Sequence, residues 1–257
     1  MTIGELKKFV ENDKNAESKL RSLACSLAKT QYIHMGWNTK SDETDTDTKL
    51  RGTIIGLMLY GEDSDVITTA INLYDSTTLD NLTPELRGLI LIAAVRHKND
   101  NSTVDLLLET YKTSDSAELK QDICIGLTAT RDTDTITRLL GLLKDTSLIR
   151  TQDTSRWIIY LIRNQYARNQ TWQWIRNNWD WIMTTFKDDK SYDDYPRYVA
   201  TALSTNAQLD EYRDFFMPLQ SDPTLSRVIE MGINEISNRV NMIERDGSSV
   251  RDALQNF

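Results

Sequence analysis

A degenerate repeat of two amphipathic helices is the feature that most constrains the fold of this chain. Three basic residues, Arg51, Arg87 and Lys120, each follow a leucine and precede apolar residues three, four and seven positions later. Fourteen positions after each basic residue stands a side chain suited to cap a second helix, namely Asp65, Asn101 and Asp134. The second helices again carry apolar residues at helical spacing. A period of 33–36 residues with two helices per unit predicts a helical solenoid.

Residues that interrupt helices are scarce. The 257 residues include four prolines and ten glycines, which favours long helices over a turn-rich β protein. No stretch alternates between apolar and polar residues for long enough to predict a strand. We therefore predict an all-α fold, a HEAT/armadillo-like α-solenoid of antiparallel helical hairpins.

We predict that residues 1–257 form a single helical-repeat domain. Four segments follow one another within it: leading helices over 1–40, an acidic linker over 41–48, degenerate hairpin repeats over 49–150, and tryptophan-rich and C-terminal helices over 151–257. The last helix has apolar residues in helical register from Leu225 to Ile243. Asp246-Gly247 is predicted to end it, because glycine is common just after a helix.

The segment from Asn164 to Phe186 contains four of the six tryptophans. On a helical period, one long apolar stripe is formed by Trp172, Ile175, Trp179, Ile182 and Phe186. A second stripe carries Trp174 and Trp181. A helix that is apolar on two faces packs between neighbours on both sides. The pattern therefore favours a doubly packed core helix over an aromatic ligand box.

The same segment has an Asn, a basic residue four positions on, a Trp four further and a Trp after seven more. The residues at these positions are Asn164, Arg168, Trp172 and Trp179. This spacing resembles a signature near the end of the C-terminal helical domain of gluzincin zinc aminopeptidases, most closely the lysyl aminopeptidase N type of lactic acid bacteria. Ala167 stands where many members have glycine. Further similar motifs bring the resemblance to roughly Tyr32 through the C-terminus: Gly36-Trp37, Lys49–Arg51 and Ser204–Phe216.

The resemblance implies a zinc enzyme, yet this chain lacks the corresponding ligands. Zinc peptidases of this type need two histidines one helical turn apart with a glutamate between them. The two histidines here, His34 and His97, are 63 residues apart, and the family's Gly-x-Met-Glu-Asn motif is missing. We predict no catalytic residue and no metal ligand in this chain, so zinc is implied for the full enzyme alone. Substrate-binding residues stay unknown.

Other functional classes are disfavoured by charge and by the apolar pattern. The net charge is −8 without a cluster of lysines and arginines, which argues against a nucleic-acid partner. No run approaches the ~20 apolar residues of a membrane span, and the first 20 residues lack a signal-peptide core. Arg163, Arg168 and Arg176 are expected to form salt bridges with Asp153 or Asp180. Cys25 and Cys124 are predicted to be reduced and buried, which favours a cytoplasmic location.

Two functional hypotheses follow. The resemblance implies a non-catalytic C-terminal domain that forms the wall or lid of a peptide chamber, with the catalytic domain as partner and peptides as substrates of the full enzyme. A free-standing HEAT-like interaction scaffold is the alternative. In the family the helical domain begins before the position matching Met1, so the N-terminal edge is expected to self-associate or to dock on the catalytic portion. That edge is rich in apolar residues: Leu6, Phe9, Val10, Leu20, Leu23 and Leu27.

Overall fold

The computed structural model describes residues 2–40, 43–98, 100–188 and 191–256. It is 79% helical, and the described residues form fourteen α-helices and no strand, which confirms the all-α prediction. In chain order the helices are α1 (Ile3–Val10), α2 (Lys14–Met35), α3 (Asp45–Tyr60), α4 (Ser64–Ser76), α5 (Pro84–His97), α6 (Asn101–Thr113), α7 (Ala117–Thr128), α8 (Thr133–Leu142), α9 (Thr151–Arg163), α10 (Arg168–Asn177), α11 (Trp179–Thr185), α12 (Asp194–Ala200), α13 (Asn206–Phe216) and α14 (Pro223–Gln255).

Side-chain caps decide where the second helices of the repeats begin. Asp63, Asp100 and Asp132 accept hydrogen bonds from backbone N–H groups of the first turns of α4, α6 and α8. These caps lie one or two residues before the predicted Asp65, Asn101 and Asp134. Asp65 is used differently, because its carboxylate accepts a hydrogen bond from the Tyr32 hydroxyl at 3.4 Å.

The acidic segment differs from the predicted linker. Residues 41 and 42 lie outside the described residues, and α3 already begins at Asp45. Thr44 caps this helix: its hydroxyl accepts from the Asp47 backbone N–H, and the Asp47 carboxylate accepts from the Thr44 N–H in return. Residues 45–48 therefore form a helical first turn, where acidic side chains are stabilised by the helix dipole.

Two predicted helix boundaries are wrong. The helix α14 continues through Gly247 to Gln255, because its end is held by packing: Leu254 is buried, and Arg251 Nη1 donates to the Phe9 carbonyl at 3.3 Å. The tryptophan helix is interrupted at Asn178, which separates α10 from α11. The Asn178 side chain donates to the Trp174 carbonyl at 2.7 Å, the kind of local bond that competes with the helical ladder.

The chain divides into two compact units. The first contains residues up to 130 together with those from 251 onward, and the second contains residues 131–250. In the first unit, α2 packs on α3, α4 packs on α5, α6 packs on α7, and α5 packs on both α3 and α7. This is the neighbour order of stacked hairpins. The solenoid geometry and the single-domain boundary stay predictions.

Polar contacts in the first unit join residues about one repeat apart. Lys29 pairs with Asp63 at 2.9 Å across 34 residues. Arg96 Nε donates to the Ala129 carbonyl at 2.8 Å across 33 residues. Arg51, expected as a repeat marker and as part of the family-like motif Lys49–Arg51, is buried, donates to the Gly36 carbonyl and pairs with Glu43. The basic repeat position is therefore a structural one, since buried guanidinium groups need several acceptors.

The second unit is built around aromatic side chains. Within it, α9 packs on α10 and α12, and α10 packs on α8 and α11. The largest fully buried side chains of this unit are Trp157, Trp172, Tyr195, Tyr212 and Phe216. Aromatic residues bury much apolar area each and can form stabilising edge-to-face pairs. Trp172 and Trp179 of the family-like signature lie in this core.

Candidate functional site

The signature begins at the turn that joins α9 to α10. The Asn164 side-chain oxygen accepts from the Tyr166 N–H at 3.1 Å, and its carbonyl accepts from the N–H groups of Ala167 and Arg168. Ala167, which stands where many family members have glycine, is fully buried. Arg168 is half-buried at the first residue of α10. Asn164 therefore shapes the turn that orients α10.

Trp172 anchors α10 on α13. Its indole Nε1 donates to Glu211 Oε2 at 3.0 Å, and its ring lies 5.6 Å from each of the Phe215 and Phe216 rings, edge-on to the first and stacked on the second. Arg176 covers the outer side, with its guanidinium carbon 5.0 Å from the Trp172 ring centre and Nη2 3.5 Å from Glu211 Oε2. The polar edge of the buried indole is thus satisfied while its faces are packed.

Trp179 contacts the same two phenylalanines from α11. Its ring lies edge-on to Phe215 at 5.9 Å and to Phe216 at 5.3 Å. The break at Asn178 does not separate the two tryptophans, which converge on α13. Every member of the predicted long stripe is buried: Trp172, Ile175, Trp179, Ile182 and Phe186. The structure thus supports a core role for this stripe.

The second tryptophan stripe is less buried than predicted. Trp174 and Trp181 are half-buried and lie edge-on to each other at 5.9 Å. The Lys144 ammonium lies 5.4 Å from the Trp181 ring centre. One face of this segment is therefore core, and the other carries an aromatic pair at the surface.

Arg176 forms an ion pair with a partner other than the expected Asp153 or Asp180. Arg176 pairs with Glu211 of α13, and Asp153 pairs with Arg150 and Arg156 of its own helix region. The partner of Arg176 lies 35 positions away in the sequence, so local pattern could not identify it. The expected salt-bridge role is thus confirmed for Arg176 with a different partner, and it stays a prediction for Arg163 and Arg168.

The histidines do not assemble a metal site. His34 is exposed on α2 and lines a cavity of about 320 Å³ with Gln31, Lys40 and Glu43, whereas His97 lies in the last turn of α5. Within the described ranges, no three His, Cys, Asp or Glu side chains are grouped so as to hold a metal ion. The described residues therefore do not fit the zinc site that the resemblance implies elsewhere, and no catalytic step is assigned to them.

Sequence reasoning missed a close packing point in the second unit. Gly232 of α14 faces Tyr212, and a Cβ atom at this glycine would lie 2.1 Å from the Tyr212 hydroxyl oxygen. That hydroxyl donates to the Pro196 carbonyl at 3.1 Å, and burial raises the pKa of Tyr212 well above its usual value. A glycine inside the periodic pattern of α14 was the available signal.

Arg239 of α14 was missed as well. It is buried, and its Nη1 donates to the carbonyls of Ala200 and Leu203 at 2.6 Å each. Its Nη2 donates to Glu235 at 2.5 Å. One guanidinium thus satisfies the carbonyls at the end of α12 and ties them to α14.

The described residues contain neither a disulfide nor a membrane-spanning helix. Cys124 is buried and Cys25 is half-buried, and no disulfide joins them in the described structure. Among the helices of the described residues, none has the length and apolar character needed to cross a bilayer.

Comparisons with known proteins agree with the resemblance. The family model of the ERAP1-like C-terminal domain matches residues 1–238. Aminopeptidase N of Lactobacillus helveticus is 31% identical over 255 residues, which cover 98% of this chain and 30% of that protein. Aminopeptidase N of Lactococcus lactis subsp. lactis is 26% identical over 254 residues, and human glutamyl aminopeptidase is 24% identical over 250 residues. The chain spans about 30% of the length of the bacterial relatives. It belongs to the ERAP1-like C-terminal domain family of aminopeptidases.

Proposed function

We propose that this chain is the non-catalytic C-terminal domain of a zinc-dependent aminopeptidase that releases N-terminal amino acids from peptides. The observation that carries the proposal is the family match over residues 1–238, joined to relatives named aminopeptidase N that align along 98% of the chain. Because these relatives are much longer than the match, the zinc ligands and the general base belong to the remainder of the polypeptide.

The domain's own contribution is a helical surface that forms part of the wall or lid of the substrate chamber. Asn164, Arg168, Trp172 and Trp179 would then be structural residues that hold α9, α10 and α13 together. The buried indoles and the turn at Asn164 support this role. We include a HEAT-like stacking of the hairpins and a cytoplasmic location in the proposal, the latter because Cys25 and Cys124 suit a reducing compartment.

A graft tests this function. The matched segment of the Lactobacillus helveticus enzyme is replaced by this chain, and hydrolysis of lysyl and alanyl chromogenic amides is compared with that of the parent enzyme and of the enzyme lacking the segment. We expect the graft to recover most of the activity that deletion removes, because the domain completes the chamber. A matched control carries Trp172→Ala in the graft, which should lose the recovery together with its folded second unit.

A graft that is folded by circular dichroism but no more active than the deletion would contradict the proposal. That outcome would favour the free-standing scaffold, since the helical surface would then have no aminopeptidase to complete.

A further inference from the structure

A cleft of about 400 Å³ in the second unit is lined by α12 and α14. Arg197 is the lining residue of α12, and α14 contributes the others: Val228, Met231, Gly232, Asn234, Glu235 and Asn238. Ligand pockets of proteins begin at about 300 Å³, so the cleft is large enough to hold a ligand. The side chains of Arg197, Asn234 and Asn238 are exposed, which leaves their polar groups available to a bound molecule.

Exposed asparagines follow one face of α14. Asn234, Asn238 and Asn241 are spaced four and three residues apart, so they lie on the same face of the helix at successive turns. Asparagine is among the weaker helix formers, because its side chain competes for backbone hydrogen bonds. None of the three carboxamides has a hydrogen-bond partner among the described residues. The stability of the helix therefore does not explain why asparagines occupy this face.

The two asparagines that line the cleft match the main chain of an extended peptide. A carboxamide has N–H donors and a C=O acceptor, so it can pair with both the N–H and the C=O of one peptide residue. Asn234 and Asn238 are about 6 Å apart along the helix axis at 1.5 Å per residue. In an extended chain, residues whose N–H and C=O face the same edge recur every second residue, at about 6.7 Å. The two carboxamides can therefore hold alternate residues of one extended peptide.

The charges at the cleft favour a peptide that carries a carboxylate. Arg197 forms no ion pair with the residues that the structure describes. Glu235 is the acidic lining residue, but its Oε1 accepts from Arg239 Nη2 at 2.5 Å, so its charge is already balanced. The unbalanced charge among the lining residues is thus the guanidinium of Arg197. A guanidinium group suits a carboxylate, because it can donate two parallel N–H bonds to it.

An apolar part of the cleft is formed by Val228 and Met231. Met231 is 55% exposed, and its flexible thioether can adapt to peptide side chains of different shape. A site that reads the main chain through carboxamides and offers methionine to the side chains accepts many sequences.

We infer that this cleft binds an extended peptide segment. Asn234 and Asn238 pair with its main chain, and Arg197 binds a carboxylate, either of an acidic side chain or of the C-terminus. The inference goes beyond the proposed function, because the site lies wholly within this chain and needs no catalytic domain.

Titration of the isotope-labelled chain with short peptides tests the inference. The probes alternate serine and alanine and are of three kinds: a central glutamate with both ends blocked, a free C-terminal carboxylate without glutamate, and no acidic group with the C-terminus blocked. NMR follows the side-chain amide signals of Asn234 and Asn238. We expect these signals to shift with an acidic probe, and the tighter acidic probe identifies the source of the carboxylate. The probe without an acidic group should bind about three- to fivefold more weakly.

The double variant Asn234→Ala/Asn238→Ala should raise the dissociation constant of the acidic probe at least about fivefold, because the main-chain hydrogen bonds are lost. Alanine is a better helix former than asparagine, so the melting midpoint of this variant should equal or exceed that of the parent. Unfolding could then not account for the lost binding. Asn72→Ala is the control, since Asn72 is an exposed asparagine of α4 in the first unit, and it should bind as the parent does. Arg197→Met should bind the acidic probe as weakly as the probe without an acidic group.

Three results would overturn the inference. The first is that the amide signals of Asn234 and Asn238 do not shift with any probe up to about 10 mM. The second is a double variant that binds with the affinity of the parent. The third is a parent that binds the probe without an acidic group as tightly as the acidic ones. Because the titration uses the isolated chain, activity of the graft reports separately on the proposed function.

Discussion

Arg87 of α5 donates a hydrogen bond from Nη1 to Asp122 Oδ2 of α7 at 3.1 Å, across 35 residues. Both side chains are largely buried, and Arg87 Nη2 also lies 3.4 Å from the Leu82 carbonyl. Burial raises the pKa of Asp122, while Arg87 opposes that shift. The pair thus connects two successive repeat units through one desolvated ion pair.

Arg87→Met should lower the free energy of unfolding by about 3–5 kcal/mol, because it leaves the Asp122 carboxylate buried without its cation. Lys98→Met is the control, since Lys98 pairs with the half-exposed Asp75 and should cost less than about 1 kcal/mol. Urea unfolding of the two variants measures the difference. Equal losses of unfolding free energy in Arg87→Met and Lys98→Met would contradict the structural role of the Arg87–Asp122 pair.

The lowered pKa of Asp100 predicts how the stability of the protein depends on pH. The Thr103 backbone N–H, which donates to Asp100 Oδ1 at 2.7 Å, holds the pKa of Asp100 below its ordinary value of 3.8. A carboxyl whose pKa is lower in the folded state stabilises the protein above the unfolded pKa, and this stability is lost as pH falls through the folded pKa. Asp100→Asn keeps a capping oxygen but does not titrate.

The melting midpoint of the parent should therefore exceed that of Asp100→Asn at pH 6, and the gap should narrow as pH is lowered through 4 toward 3. Thermal unfolding monitored by circular dichroism at several pH values measures this gap. A gap that stays constant or widens toward low pH would show that Asp100 does not contribute through its charge.

Trp172→Ala should lower the free energy of unfolding by about 3–5 kcal/mol, because it removes a buried indole and leaves a cavity between α10 and α13. Trp172→Phe should cost less, since it keeps a ring against Phe216 and loses the bond to Glu211. An unchanged melting midpoint in Trp172→Ala, with lost ligand binding, would support the aromatic ligand box instead.

Gly232→Ala should destabilise the second unit by about 1–3 kcal/mol, because the new Cβ would overlap the buried Tyr212 hydroxyl. Gly141→Ala in α8 is the matched control, since nothing lies within 4 Å of its Cβ position. Alanine is a better helix former than glycine, so the free energy of unfolding of the control should rise by a few tenths to about 1 kcal/mol. We expect chemical denaturation to show a lower free energy of unfolding for Gly232→Ala and a higher one for Gly141→Ala.

The purified chain should hydrolyse no aminoacyl amide and should hold no stoichiometric zinc, because no suitable ligand group lies in its described residues. Elemental analysis after dialysis and a chromogenic amide assay measure both properties. Turnover that a chelator abolishes would mean that a metal site forms in this chain after all.

The sequence by itself determined the helical class and the stripe that contains Trp172 and Trp179. Helical periodicity is a local property, since residues three and four apart share a face whatever the rest of the chain does. The repeat spacing likewise predicts that α3, α5 and α7 are equivalent helices, and each motif of the family resemblance consists of residues close together in the chain.

Only the tertiary structure decided where α14 ends, that Arg176 pairs with Glu211, and that Gly232 lies against Tyr212. These features depend on residues that are far apart in the sequence and meet only when helices pack. Gly247 was expected to end α14, but the helix continues through it. The burial of Leu254 and the hydrogen bond from Arg251 to Phe9 outweigh the ~1 kcal/mol that glycine costs inside a helix. Local propensity is weak compared with burial, so packing decides wherever the two conflict.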